Sequence, residues 1–296
     1  MPADVIYLGA GAIREIAARL GVRPTKVWGQ NFVVDANTVK RIVRLGEVGE
    51  RDVVIEVGPG LGSLTLGLAD AAYAVYAVEI DPVLAAALPT TLAELAGERA
   101  ARVHVLNQDA LTLTELPRAP TRLVANLPYN VSVPVVLHLL ERFPSIERVL
   151  VMVQLEVAER LAAAPGSRTY GAPSAKAAWY GEVRLAGTVA RSIFWPVPNV
   201  DSGLVSIERR DPPRTDVDRA VVFAIIDAAF AQRRKMLRSA LASWAGSAAA
   251  ATAILHAAGI DPTLRGEQVD IAGFAAIAAA AAQASAPSPG SGATDG

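Results

Sequence analysis

The sequence predicts an α/β protein: a mostly parallel β-sheet covered by helices on both faces, with a smaller all-helical C-terminal domain. Three observations predict it. Short β-rich runs at 53–57, 74–79, 103–106, 122–125 and 149–153 alternate with helical stretches, the rhythm of βαβ units. The central runs are nearly all apolar, as strands buried on both sides must be. After Arg210 the β signal stops and helical patterns take over.

Taken in chain order, residues 1–28 form an N-terminal helical segment. Ile13, Ile16, Ala17 and Leu20 recur at helical spacing until Gly21 and Pro24 end the pattern. Gly9-Ala10-Gly11 after Val5 to Leu8 mimics a dinucleotide turn, but Arg14 stands where its last glycine should be, so no ligand is expected there. Residues 29–210 carry the sheet, and two later segments, 183–190 and 203–209, read as a strand pair that closes it antiparallel. Asp211-Pro212-Pro213 is a linker into a helical domain spanning 211–283. Its first helix is expected over 217–245 as one long amphipathic element, with Val221, Ile225, Ala228 and Ala229 on one face. Its last helix is the Ala-rich 275–282. Residues 284–296, rich in Ala, Ser, Pro, Gly and Thr, bury too little to fold and are expected to be a disordered tail.

Composition narrows the function classes. Of 296 residues 52% are apolar, yet no uninterrupted apolar run reaches 18 and no signal pattern opens the chain, so a soluble, cytoplasmic protein without membrane contact is expected. The absence of cysteine excludes disulfides, thiolate zinc sites and a cysteine nucleophile. His104, His138 and His256 share no ligand spacing, so no metal is expected. A net charge of −1 means that a nucleic-acid partner must be held by a local patch rather than by the whole surface.

A cofactor site is predicted where a strand meets glycine. Val53-Val54-Ile55-Glu56-Val57 runs into Gly58-Pro59-Gly60-Leu61-Gly62-Ser63, a turn whose missing β-carbons let a ligand approach the backbone. Such a turn fits a nicotinamide dinucleotide or S-adenosylmethionine. The dinucleotide spacing would put its third glycine at 63, which is serine, and this favours S-adenosylmethionine. Glu79 ends the next strand, 17 residues past Gly62, where a carboxylate can accept from both ribose hydroxyls. Asp109, in Asn107-Gln108-Asp109-Ala110, ends the third and can receive an adenine amine. Upstream, Gly29-Gln30-Asn31-Phe32-Val33-Val34-Asp35 precedes a helix capped by Asp35 or Asn37, and Asn31 is expected to reach the methionine end of the cofactor.

The chemistry is predicted after the fourth strand, at Asn126-Leu127-Pro128-Tyr129. An amide acceptor, a proline-stiffened turn and an aromatic ring suit a planar, amine-bearing substrate. The lone pair of an adenine amine is delocalised into its ring, so it must be redirected before it can attack a methyl carbon. The Asn126 side-chain oxygen and the Leu127 backbone carbonyl can do this by accepting the amine protons, with no general base, while Tyr129 stacks on the base. Phe194, in the proline-rigid run from Ile193 to Asn199, is a second stacking candidate; it could equally anchor that loop in the core, and Trp195 competes for the role. Arg233, Arg234, Lys235 and Arg238, with no acid between Ala228 and Ile260, form a basic patch that can neutralise RNA phosphates or simply face solvent.

Together these motifs resemble the KsgA/RsmA-type small-subunit ribosomal RNA adenine dimethyltransferases. Gly29-Gln30-Asn31-Phe32, Glu56 to Gly62, Asn126 to Ser132 with Pro134, and Phe194-x-Pro196-x-Pro198 stand in that family's order. The resemblance implies a Rossmann-like domain and S-adenosylmethionine held by Asn31, Val33, Gly58, Glu79, Asp109 and Asn126. It implies transfer of two methyl groups to N6 of each of two adjacent adenosines in the terminal hairpin of 16S rRNA. It also implies action on a partly assembled 30S particle, by a protein expected to be a monomer. Val33 stands where leucine is usual, and Trp28 where a small or basic residue often precedes Gly29. The related Erm-type enzymes, which methylate large-subunit rRNA, are the nearest rival; Asn130 and Ser132-x-Pro134 favour the small-subunit group.

Overall fold

The structure, a computed structural model, describes residues 4–22, 31–128 and 131–285. The strands are β1 (Phe32–Val33), β2 (Val53–Val57), β3 (Ala74–Glu79), β4 (Val103–Asn107), β5 (Arg122–Asn126), β6 (Arg148–Gln154), β7 (Gly181–Val189), β8 (Phe194–Trp195) and β9 (Ser202–Arg209). The helices of the sheet domain are α1 (Ala10–Arg19), α2 (Ala36–Leu45), α3 (Ser63–Ala71), α4 (Pro82–Ala96), α5 (Ser132–Arg142) and α6 (Leu155–Leu161). They are followed by α7 (Ala172–Tyr180), α8 (Arg219–Ala231), α9 (Leu237–Ala240), α10 (Ala242–Ala245), α11 (Ala248–Ala257) and α12 (Ile271–Ser285).

Seven strands form one sheet in the order β4-β3-β2-β5-β6-β9-β7. The pairings among β2 to β6 are parallel, and β9 runs antiparallel between β6 and β7. Every residue of β2 and of β3 is buried, which explains their unbroken apolar pattern. Strand order reverses between β2 and β5: the chain steps outward through β3 and β4, then returns to the other side of β2. The carboxyl ends of β2 and β5 therefore flank a crevice, the place where open α/β sheets bind ligands.

Local chemistry starts the helices. Asp35 is the cap of α2, its Oδ1 accepting from Thr38 N at 2.6 Å, so of the two expected caps it is Asp35 that serves. Asp81 caps α4, with Pro82 in the first turn, where its missing N–H costs nothing. Helix α1 contributes Ile13, Ile16 and Ala17 to a core cluster shared with Leu84, Leu88 and Leu92 of α4, so this helix is built into the sheet domain.

The chain divides into two compact units, Met1–Ala162 with Tyr180–Arg210, and Ala163–Trp179 with Asp211–Gly296. Residues 163–179, within the range read from sequence as sheet domain, thus group with the C-terminal helices. Non-local contacts explain it. The Tyr170 hydroxyl donates to Val269 O at 3.1 Å, Tyr170 packs edge-on against Phe230, Trp179 packs edge-on against Phe223, and Lys176 pairs with Asp227 at 2.6 Å.

The expected long helix over 217–245 is broken. Helix α8 stops at Ala231, where Gln232 takes φ −125° and ψ 52°, and residues 232–235 form a turn before two one-turn helices. The buried face of α8 is Val222, Ile225, Ile226 and Ala229, and Val221 is largely exposed. Tertiary contacts override helix propensity at the break: Leu237 N donates to Leu264 O at 2.7 Å, and the Arg233 guanidinium is drawn to Glu267 and to the Arg168 carbonyl. The last helix extends beyond the expected 275–282 to Ile271–Ser285, and the expected tail from 286 onward lies outside the described residues.

If Tyr170 ties 163–179 to the C-terminal unit, Tyr170→Phe, which removes only the hydroxyl, should lower unfolding stability by about 1 kcal/mol in urea denaturation. An unchanged midpoint would show that the bond carries no net stability.

Candidate active site

A cleft with a cavity volume of about 280 Å³ opens at the crevice between β2 and β5. All six residues expected to hold the cofactor line it: Asn31, Val33, Gly58, Glu79, Asp109 and Asn126. They come from separate stretches of chain, and the topology brings them to one edge.

The glycine turn forms the floor. Gly58, Gly60 and Gly62 have φ of 69°, 58° and 95°, the left-handed region that other residues avoid, and Gly62 starts α3. Gly60 is further constrained, because a β-carbon there would stand 2.8 Å from Phe32 Cε1. Glu79 braces the turn from the end of β3: its Oε2 accepts from Gly60 N and its Oε1 from Asp81 N, each at 3.0 Å. Burial raises its carboxyl above the usual range, and the Asp81 and Gly60 N–H groups oppose the rise. Each oxygen keeps a further acceptor position for a ribose hydroxyl. Asn107 Nδ2 donates to Glu79 O at 2.8 Å and holds the ends of β3 and β4 together. Asp109 follows β4, its Oδ1 accepting from Leu111 N at 2.9 Å.

The turn at Asn126-Leu127-Pro128 lies beside the glycine turn. A β-carbon at Gly58 would stand 3.6 Å from Pro128 Cδ and 3.7 Å from Asn126 O, so the two turns are in near contact. Asn126 Nδ2 donates to Asn31 O at 3.0 Å. Because only the NH₂ side of an amide can face a carbonyl, this bond leaves Oδ1 as the acceptor end. Leu127 N donates to Met152 O at 3.0 Å, which fixes the Asn126–Leu127 peptide; the Leu127 side chain is buried and Pro128 lines the cleft. Tyr129 and Asn130, like Trp28, Gly29 and Gln30, lie outside the described residues.

Phe194 does not line the cleft: it is 2% exposed and packs in a core cluster with Val33, Met152 and Leu204, so it anchors its loop and presents no face for a base to stack on. The reason is register, since Phe194 opposes Val33 across the β1–β8 ribbon. Of the basic patch, Arg233, Arg234 and Lys235 lie in the turn after α8, and Arg238 lies in the short helix α9. Arg233 is already engaged, its Nε 2.9 Å from Glu267 Oε2, whereas Arg234, Lys235 and Arg238 are exposed.

Sequence reasoning assigned no role to Glu56. Its carboxyl lines the cleft, is 1% exposed, and its Oε2 has no hydrogen-bond partner. Burial pushes it up to about 8; the Thr65 hydroxyl opposes the rise, and the charge of Glu79 adds to it. The signal was present: a lone acid inside an otherwise apolar strand has to be explained by a partner or a ligand.

The ribosomal RNA adenine dimethylase family model matches residues 23–283. The chain belongs to that family. Its relatives include the ribosomal RNA small subunit methyltransferase A of Streptomyces coelicolor, 63% identical over 279 residues that cover 94% of this chain and 98% of the relative. That of Thermobifida fusca is 63% identical over 277 residues, 93% and 96% of the two chains. Among solved structures, a dimethyladenosine transferase from Plasmodium falciparum superposes with TM-score 0.70 at 20% identity, over 83% of this chain and 95% of that one, a likeness of fold. The 23S rRNA methyltransferase ErmE superposes with TM-score 0.62 at 26% identity, over 86% and 100%.

This rRNA adenine dimethylase uses S-adenosylmethionine as methyl donor. The cleft suits that molecule on its own evidence. A glycine turn exposes backbone to it, strand-end carboxylates Glu79 and Asp109 face it, and the unpartnered Glu56 oxygen offers an acceptor to a cationic ligand. Among the described residues no cluster of His, Asp and Glu could hold a metal ion, and no helix is long and apolar enough to cross a membrane.

Glu56 makes a pH prediction. Its folded pKa of about 8 lies above the usual carboxyl value of 4.5, so the folded protein binds the extra proton between those pH values. Stability from this group is therefore fully present below about 4.5 and is lost as pH rises through about 8. Glu56→Gln should flatten the fall in melting temperature between pH 5 and 8. A mutant whose melting temperature falls as steeply as the wild type's would refute a protonated Glu56.

Proposed function

We propose that this chain transfers two methyl groups to N6 of each of two adjacent adenosines in the 3'-terminal hairpin of 16S, small-subunit, rRNA, as part of small-subunit biogenesis. The names of its relatives support the small subunit as target. The observation that carries the chemistry is the Asn126 amide, pinned through Nδ2 to the Asn31 carbonyl with Oδ1 left to accept.

When bound, S-adenosylmethionine supplies a methyl group on a sulfonium, an electrophile that needs no activation by the protein. The protein's task is to ready the amine. Asn126 Oδ1 and the Leu127 carbonyl accept the two N–H protons, turning the nitrogen lone pair out of the ring plane toward the methyl carbon. Asn126 can do this only with its NH₂ turned away, and Asn31 O holds it there. Tyr129 stacks on the extruded base, a contact worth about 1–3 kcal/mol. After the first methylation one N–H remains, so a single acceptor still directs the second.

Glu79 takes the cofactor ribose, Asp109 its adenine amine, and Asn31, Val33 and Gly58 the remainder. Arg234, Lys235 and Arg238 neutralise rRNA phosphates, each adding to the salt dependence of binding. The substrate is rRNA within a partly assembled 30S particle, met in the cytoplasm by a monomer.

With labelled S-adenosylmethionine and undermethylated small subunits, the wild-type protein should label two adjacent adenosines. Asn126→Ala should methylate at least about 100-fold more slowly while still binding the particle, the loss expected when a preorganised hydrogen-bonding group is removed. Label on large-subunit rRNA, or undiminished methylation by Asn126→Ala, would overturn the proposal.

A further inference from the structure

Trp195 stands outside the cleft, yet the structure links it to the catalytic amide. Strands β1 and β8 are two residues each and form a separate antiparallel ribbon, with Phe32 opposite Trp195 and Val33 opposite Phe194. Val34 N donates to Ile193 O at 2.9 Å and closes the ribbon. On one side Val33 and Phe194 are buried together in the core. On the other, the Phe32 and Trp195 rings stack with centroids 6.3 Å apart and planes 25° from parallel.

Phe32 is the joint. Its ring is 7% exposed, lines the cleft, and lies against Gly60 so closely that no β-carbon would fit between them. The residue before it, Asn31, supplies the carbonyl that orients Asn126. The glycine turn and the Asn126 amide therefore both lean on one short strand, where Trp195 packs on Phe32 at the edge of a second core cluster.

We propose that Trp195 is a positioning residue: stacked on Phe32, it holds the Asn31 carbonyl and the Gly60 wall in register, and so sets the aim of Asn126 Oδ1. This rests on the reading of Asn126 as an amine acceptor. A two-residue ribbon has too few hydrogen bonds to hold itself, and side-chain pairs across it must supply the rest. An aromatic pair adds stability beyond its buried area, a large share of what holds so small an element. Misplacing a catalytic group by about 1 Å can cost on the order of a hundredfold in rate. The loop that carries Trp195 also exposes Val197 and Val200, so the same joint connects a surface loop to the catalytic amide.

The experiment is a double-mutant cycle in single-turnover methylation of small subunits, with cofactor affinity measured by calorimetry. Trp195→Ala should lower the turnover rate about tenfold or more at saturating S-adenosylmethionine and weaken cofactor binding several-fold. Trp195→Phe, which keeps the stack, should recover most of both. Trp195→Leu keeps apolar bulk without an aromatic ring and should behave like the alanine variant, which covers the case in which Trp195→Ala does not fold. Val197→Ala, on the same loop, should match wild type. Against an Asn126→Ala background, Trp195→Leu should cause no further loss of rate.

Wild-type rates in Trp195→Leu, no recovery in Trp195→Phe, or an equal loss with and without Asn126 would each overturn the proposal. If Asn126→Ala alone retained full activity, the acceptor reading would fail. A slow Asn126→Ala beside an unimpaired Trp195→Leu would sink only the role of Trp195.

Discussion

One hydrogen bond organises this site: Asn126 Nδ2 to Asn31 O, 3.0 Å across a sequence separation of 95 residues. A side-chain amide offers a donor face and an acceptor face, and which one meets the substrate depends on what holds the other. The Asn31 carbonyl decides this before any substrate arrives. In the proposed mechanism such preorganisation lets a neutral amide act in catalysis, since no dipole has to turn during the reaction.

The bond depends in turn on the topology. Asn126 ends β5 and the glycine turn follows β2, and only the reversal of strand order between these neighbours puts both at the mouth of one crevice. The antiparallel β9 and the ribbon with β8 then bring the 191–198 loop back to β1, so the strand that Asn31 leads into is held by a loop far downstream. Within the crevice the carboxylates divide the labour. Glu79 is braced by backbone N–H groups, while Glu56 is buried without a partner for one oxygen and keeps its proton near neutral pH. A neutral Glu56 costs little where no counter-charge faces it, and its carboxylate becomes favourable beside a cation.

Much of this was legible in the sequence wherever a local pattern and a buried face agreed. The parallel strands β2, β3, β5 and β6 read clearly because burial on both sides forces apolar runs, and Gly58, Glu79 and Asn126 read clearly as cleft residues because each ends a strand or sits in a glycine turn. What was not legible depended on distant partners. Nothing local says that 163–179 packs against Phe230 and Val269, or that the helical run through Gln232 must stop so that Leu237 can meet Leu264. Of the adjacent aromatics Phe194 and Trp195, the one turned inward is set by ribbon register with Val33 and Phe32, which a sequence pattern does not reveal. Glu56 was visible but unexplained, because the pattern shows an acid in a strand and not the cavity beside it.

The central claim is that Asn126 works because its donor face is tied to Asn31. Asn126→Asp tests it most directly, since aspartate keeps an acceptor oxygen but, when ionised, turns a second oxygen toward the Asn31 carbonyl. The account predicts that this variant methylates poorly at pH 8 and partly recovers as pH falls, because a protonated carboxyl can again donate to Asn31 O. Wild-type rates for Asn126→Asp across that pH range would contradict it.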